Sequence, residues 1–456
     1  MSLLHSFDRP LARTARILLL PALAGVGSPS ARAEDGLQLS GTSRIRYEVI
    51  DGQPRTGFNA SDDLLNLRTT LAADYRKGGL RLFAELWDSR VYAEDAGTPV
   101  TTGEVNTLEP VQAFVSYEAP DAFGRGTKLT VQAGRFLTNV GSRRLVAADD
   151  YRNTTSGYSG VRVDATLSKT LSTTLIYTMP QVRLPDGRAD IVKNRVKLDR
   201  ESFDLVLWGG LVTQRLMSDG TKLDVTYFHL GERDRADLAT RDRSLDTYGG
   251  RLYRDPAPGK ADFELEGYAQ TGTVSASLTP GAAQLNVAAW FAHAKAGYSW
   301  TGPWAPHVSL EFDYASGDRP GGKYGRFDSL FGQRRGDFSP AGLVSAIQRT
   351  NFVSPAIRGE VTPSKRLDAL ATYRPMWLAS RTDAFATTGA RDASGRAGNF
   401  AGHQFDARVR YWLIPKRLRL EWDGTYIAKG RFLESAPNVT ARGDMLYNSF
   451  NATVSF

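Results

Sequence analysis

Apolar and polar residues alternate with period two along most of the chain, from residue 37 to the end. In the first such segment Leu37, Leu39, Ile45, Tyr47 and Val49 share one face, opposed by Gln38, Ser40, Thr42, Arg44, Arg46 and Glu48. Successive side chains of an extended strand point to opposite sides, so the pattern predicts a β-strand with one apolar face. It recurs as Leu65, Leu67, Leu71, Ala73 and Tyr75 against Asn66, Arg68, Thr70, Asp74 and Arg76. Farther on, Val308, Leu310, Phe312 and Tyr314 oppose Ser309, Glu311 and Asp313. Phe405, Ala407, Val409 and Tyr411 oppose Asp406, Arg408 and Arg410, and Leu418, Leu420 and Trp422 oppose Arg419, Glu421 and Asp423.

Eighteen segments of this kind begin near residues 37, 64, 79, 110, 127, 160, 171, 203, 221, 246, 261, 287, 307, 351, 366, 404, 417 and 445. Their connections alternate in length: 77–78, 121–126, 168–170, 254–260, 362–365 and 413–416 are short, whereas 89–109, 137–159, 180–202, 315–350 and 376–403 are long. A soluble sandwich has no reason to sort its loops this way, but a transmembrane barrel does. Closing the sheet pairs every backbone group that hydrocarbon would otherwise leave unsatisfied, at several kcal/mol each. Tyr47, Tyr75, Tyr117, Tyr177, Tyr298, Tyr314, Tyr373, Tyr411 and Tyr426 fall on the apolar face near strand ends, where aromatic girdles sit. Pro355 cannot donate to a ladder, so the segment 351–361 is the weakest of the set. The expected fold is all-β: a transmembrane antiparallel barrel of about 18 strands.

The N-terminus differs. Arg9, Arg13 and Arg16 precede the apolar run 17–26, and small residues lead to Ala31-Arg32-Ala33, the three-part pattern of a secretory signal. Residues 1–33 are expected to be cleaved, leaving 34–456 as the barrel in the bacterial outer membrane. Only a few residues then precede the first strand, too few for an N-terminal plug. The apolar run is too short and too interrupted by Pro21 to span a bilayer. Lys and Arg number 57 against 49 Asp and Glu, and removing the signal lowers the excess from +8 to +5, a weak argument for nucleic acid as a partner. There is no Cys, which excludes disulfides, thiolate metal cages and thiol nucleophiles. The last residues, Phe450-x-Ala452-x-Val454-x-Phe456, look like the C-terminal signal read by the barrel-insertion machinery, with Phe456 as its end.

Gly134-Arg135, Gly141, Arg144-Leu145, Arg152-Asn153 and Gly160-Val161-Arg162, followed by Ser316-Gly317-Asp318 and Phe331-Gly332, resemble the alginate-export family of outer-membrane porins. The resemblance spans most of the mature chain. It implies an eighteen-stranded, monomeric barrel, and its best-known member exports an acidic polysaccharide through a narrow, arginine-rich lumen.

A barrel this wide encloses water, so inward side chains set what passes. The period places Arg44, Arg46, Arg68, Arg76, Arg81, Arg408, Arg410 and Arg419 on one inward arc, and Arg135 and Arg162 join them as basic pore-lining candidates. Glu264, Glu266, Glu311 and Asp313 line the opposite, acidic arc, so a field is expected across the pore. In the long connection 315–350, Asp318, Arg326, Arg334 and Arg335 are candidate constriction residues. Paired carboxylates on alternate strand positions share a face automatically, so Glu264 with Glu266 and Glu311 with Asp313 read as lining rather than as an acid and base pair. His229, His293, His307 and His403 lack metal-ligand spacing and read as solvated or interfacial. No catalytic residue, metal or cofactor is expected. The reading is a channel in the lipid bilayer for small anionic or saccharide solutes. The alternatives are a secretion pore for an acidic exopolysaccharide such as alginate and, weakest, a barrel hydrolase.

Overall fold

The computed structural model describes residues 35–149, 151–235, 238–338 and 343–456. The expected signal segment, 1–33, lies outside the described residues. The strands are β1 (Gly36–Asp51), β2 (Asp62–Lys77), β3 (Leu80–Tyr92), β4 (Asn106–Pro120), β5 (Lys128–Phe136) and β6 (Tyr158–Thr166). Next come β7 (Leu171–Pro180), β8 (Leu205–Arg215), β9 (Lys222–Glu232), β10 (Ser244–Arg254), β11 (Ala261–Ser275) and β12 (Gln284–Ser299). The series ends with β13 (His307–Ala315), β14 (Phe352–Ser364), β15 (Leu367–Trp377), β16 (Phe400–Ile414), β17 (Leu418–Lys429) and β18 (Met445–Ser455). They form one 18-stranded antiparallel sheet in which each strand pairs with its neighbours in sequence, and β1 pairs with β18 to close the barrel.

The register explains the alternation. Ile45 pairs with Leu67 and Ala452 on the outside, while Arg46 pairs with Asn66 and Asn451 on the inside. Outward Leu265, Trp290 and Leu310 are exposed, and their inward neighbours Glu264, Glu266, His293 and Glu311 are buried. Apolar side chains on the outside of a closed sheet are stable only against lipid. Outward tyrosines gather at both rims: Tyr117, Tyr298 and Tyr411 at the short-turn end, Tyr47, Tyr177 and Tyr426 at the long-loop end. Replacing Leu310, 62% exposed at the middle of β13, by arginine is expected to cost ~2–4 kcal/mol of folding stability in vesicles. Reversible denaturant unfolding in phospholipid vesicles measures this, and an unchanged midpoint would place Leu310 away from lipid.

Most strands start within two or three residues of their expected positions. β4 and β16 start farther back, at Asn106 and Phe400, because ladder irregularities near Leu86 and Trp377 break the strict period there. Residues 352–364 are a full strand despite Pro355. Its ladder to β13 is continuous, but that to β15 is interrupted between Val353 and Ile357, where proline has no N–H to give.

Two glycines of the resemblance motif have a geometric role. Gly134 on β5 pairs with Gly160 on β6, and Gly134 has φ +124°. A Cβ there would lie 2.4 Å from the Ala113 carbonyl oxygen, and one on Gly160 would lie 2.1 Å from that of Tyr177. The ladder can stay close at this pair only without side chains.

At the long-loop end the lumen is packed rather than open. Inward Phe136, Leu207, Phe228, Phe352 and Met376 are fully buried, together with Leu145, Val146, Phe327, Phe338 and Ile347 from the loops. Phe327 stacks on Phe291 at 5.6 Å, and Phe338 meets Phe352 edge-on at 5.2 Å. Here the inward face is apolar, so the loops fold into the barrel instead of extending away from it.

Candidate functional site

The described residues of two connections, the one between β5 and β6 and the one between β13 and β14, occupy the lumen, and the two are joined along their backbones. Val146 bridges Phe331 in parallel, the Phe331 N–H donates to Leu145 O at 2.9 Å, and the Gln333 N–H donates to Arg143 O at 3.0 Å. From this joint, side chains reach the barrel wall in three directions.

Toward β11, Arg144 bonds both Glu264 and Glu266, and Ser142 Oγ donates to Glu266 at 2.5 Å. Arg144 also holds Asp337 of the second loop at 2.8 and 3.0 Å. Asp337 is bonded by Arg349 as well, and its backbone carbonyl accepts from Arg374 of β15. Burial opposes ionisation of Asp337, but Arg144 and Arg349 outweigh it and hold the carboxyl well below the usual carboxylate range.

Toward β1 and β2, the guanidinium of Arg44 donates to the carbonyls of Tyr151 and Arg152 at 3.0 and 2.8 Å and to Asn153 Oδ1 at 3.2 Å. Arg46 bonds the Tyr151 carbonyl and Asn451 and pairs with Glu48 at 3.1 Å. Arg68 donates to Arg152 O at 3.0 Å and lies 4.6 Å from the Trp87 ring centroid. Asn153 returns the grip: its Nδ2 donates to Leu67 O, Arg90 O and Glu104 O at 3.1, 3.1 and 2.9 Å.

Toward β17, Arg335 bonds Glu421 and Asp423 and sits 4.1 Å from the Tyr151 ring centroid, while the Tyr151 hydroxyl meets Ser449 Oγ at 2.7 Å. Arg334 is buried in the loops, where its Nη2 donates to Val344 O at 2.7 Å and Arg55 donates to Leu343 O at 3.0 Å. Burial together with the Arg152 and Arg55 charges pulls Arg334 down to about 9.

The other sequence candidates sort by height in the barrel. Near the short turns, Arg76 and Arg81 share Asp74, at 3.0 and 2.8 Å. Arg408 and Arg410 share Asp368, at 3.5 and 2.9 Å, and Arg419 pairs with Glu421 at 3.4 Å. Arg162 faces inward and is closed on Asp164 at 2.7 Å. Glu311 and Asp313 are both near Arg374, at 3.7 and 3.5 Å. Asp318 and Arg326 brace the rim: Arg326 bonds Asp383 at 2.8 Å, and the Asp318 N–H donates to the same carboxylate at 2.9 Å.

Three expectations change. Arg135 does not line the lumen. It pairs with Ala113 on the outward face of Val115 and Val131, where it bonds Glu109 and Glu201. The alternation continues through Gly134, and parity carries the next residue outward. His293 and His307 are buried rather than solvated: His293 Nδ1 lies 2.9 Å from Asp313, and His307 lies 2.8 Å from Asp262 and 3.3 Å from Glu360. The acidic arc is also less bare than its strands imply, because Arg144 crosses the lumen to it. Sequence reasoning missed the inward fold of 137–157 and the role of Asp337. The usable signal was Val140, Leu145 and Val146, apolar residues concentrated in a long connection.

Loop 181–204 carries a titrating group. Asp199 accepts from Asn106 Nδ2 at 2.7 Å and the Leu184 N–H at 2.8 Å, and its own N–H donates to Glu109 at 2.9 Å. Burial first, and the facing Glu109 second, push Asp199 up to about 7, against the opposing pull of Arg183. A raised carboxyl stabilises the docked loop fully below the unfolded value near 4, and that contribution is lost as pH rises through about 7. Amide exchange in residues 181–204 is expected to be slower at pH 6 than at pH 8 after correction for intrinsic rates, and Asp199→Asn should abolish the difference. Equal protection at both pH values in the parent protein would contradict it.

Comparison with known proteins agrees with this architecture. The family model described as alginate export matches residues 35–444. No curated protein matches the chain. Among solved structures, the chain is similar to Pseudomonas aeruginosa OccK8 (OprE), with TM-score 0.57 and 12% identity over 92% of this chain and 98% of that one. It is also similar to Acinetobacter baumannii OccAB2, with TM-score 0.56 and 12% identity over 92% and 98%. Pseudomonas aeruginosa OccD3 (OpdP) gives TM-score 0.54 and 14% identity over 92% and 91%. At such identities the likeness is one of fold.

Proposed function

The chain belongs to the alginate-export family of porin-like outer-membrane barrels, and from that premise we propose that it passes small hydrophilic anions, sugar acids and organic acids, by diffusion through its lumen. The observation that carries this reading is the sharing of carboxylates by guanidiniums. Asp74 serves Arg76 and Arg81, and Asp368 serves Arg408 and Arg410, all on the inward face. In each cluster two inward guanidiniums share one carboxylate, so cations outnumber their shared anion two to one. Guanidiniums grip carboxylates and phosphates in bidentate fashion, and a low-dielectric wall strengthens their field. The two inward loops narrow the lumen at the long-loop end, ahead of these clusters. The reading assigns no catalytic residue.

Planar-bilayer reversal potentials test it. Under a KCl gradient the parent channel is expected to prefer chloride, and Arg408→Gln with Arg410→Gln should lower that preference by roughly twofold or more. Equal permeation of cations and anions by the parent protein would refute anion selectivity. The family description favours a second reading, outward passage of an acidic polysaccharide along the same arginines. Liposomes that swell in monomeric uronate support the diffusion channel, whereas blockade by polyuronate without swelling supports the export pore.

A further inference from the structure

A cavity of about 240 Å³ opens at the long-loop end, apart from the joint of the two inward loops. Leu245, Val287 and Phe327 form its apolar floor, and Arg241, Tyr324 and Thr350 supply polar groups. Tyr324 is fixed by its backbone, which donates to Asn286 O at 2.8 Å and accepts from the Ala288 N–H at 3.0 Å. The Arg241 guanidinium lies 5.5 Å from the Tyr324 ring centroid, and its Nε donates to Ser275 O at 2.7 Å.

The cations of this cavity are not equivalent. Arg243 is closed on Glu232 and Asp328, each at 2.7 Å, and Arg326 is held by Asp383 at 2.8 Å. Arg241 has no carboxylate partner among the described residues, and both of its Nη atoms are unbonded there. A second observation points to the same space. Thr350 is 8% exposed, and its Oγ1 has no hydrogen-bond partner among the described residues. A buried hydroxyl without a partner and a guanidinium without a counter-charge, lining one cavity, are each unsatisfied until a ligand or water meets them.

We propose that this cavity is a capture site for a single small hydroxylated carboxylate, about the size of one sugar ring. The carboxylate sits on the Arg241 Nη atoms, a ring hydroxyl meets Thr350 Oγ1, and the apolar C–H face lies on Val287 and Phe327. The volume excludes a folded polymer segment. The proposal deepens the channel reading by adding a binding step ahead of the constriction. Binding is measured without transport, so either reading fails without the other.

Ligand-observed NMR titration of the purified full-length barrel with D-glucuronate, D-glucose and inorganic phosphate tests the site. Glucuronate is expected to bind saturably, and Arg241→Gln should weaken it by about tenfold, Thr350→Val by about threefold, and Arg241→Lys less than Arg241→Gln. Glucose and phosphate should each bind about tenfold more weakly than glucuronate. A far-ultraviolet circular dichroism spectrum of Arg241→Gln that matches the parent protein shows that the barrel is intact. No saturable binding in the parent protein, equal affinity in Arg241→Gln, or equal binding of glucose or phosphate would each overturn the assignment.

Discussion

Asp337→Ala is expected to raise single-channel conductance by roughly twofold or more, because it removes a carboxylate that Arg144 of one inward loop and Arg349 of the other both hold. Arg144 would keep Glu264 and Glu266, but Arg349 would keep no carboxylate among the described residues, only the Gln333 carbonyl at 2.6 Å and the Phe338 ring at 4.9 Å. Removing one partner of a buried ion pair costs ~3–5 kcal/mol because the other charge is left uncompensated. The cheapest relief is for residues 331–338 to leave the lumen and hydrate Arg349, which widens the path. Asp337→Asn keeps the shape and some hydrogen bonds without the charge, so its conductance should fall between the two. The clamp should hold down to strongly acidic conditions, since the Asp337 carboxyl lies well below the ordinary range and its contribution is lost only as pH falls through that depressed value. If both variants conduct like the parent protein, the loops are held by something other than Asp337.

The second large effect is expected at the opposite wall. Asn153→Ala removes an amide that bonds three backbone carbonyls and receives Arg44, in a residue only 1% exposed. Each buried group left unsatisfied costs ~1–3 kcal/mol, so residues 151–153 should detach from β1 and β2. Arg44, Arg46 and Arg68, whose guanidiniums now bond loop carbonyls, would then face water. The substitution changes no charge, so any rise in anion preference must come from those uncovered arginines. Higher conductance with stronger chloride selectivity is the expected result in bilayer recordings. Unchanged selectivity would mean that the three arginines stay covered after the amide is gone.

These two sites also show where sequence reasoning reached and where it stopped. Arg44, Arg46 and Arg68 were assigned to the inward face because period two makes facing a local property, and the register agrees. What they touch was not legible, since Arg46 meets Asn451 across the β1–β18 closure and Arg44 meets the Tyr151 carbonyl of an inward loop. Arg135 departs from the inward expectation because it shares its parity with Val131, and period two puts both on one face. Asp337 carried no local pattern at all. Its importance arises because two loops and β15 converge on one carboxylate and its backbone.

The amino-acid sequence by itself determined the strands, their number, the face of nearly every strand residue and the unequal ends of the barrel. Each of these follows from alternation and turn composition within a few neighbouring residues. Only the tertiary structure decided that connection 137–157 also folds inward, which guanidiniums the loops occupy and which, such as Arg241, have no carboxylate partner among the described residues. The reason is physical: side-chain pairing inside a closed lumen depends on the separation between walls and on how much space the loops fill, and no periodicity along the chain encodes either.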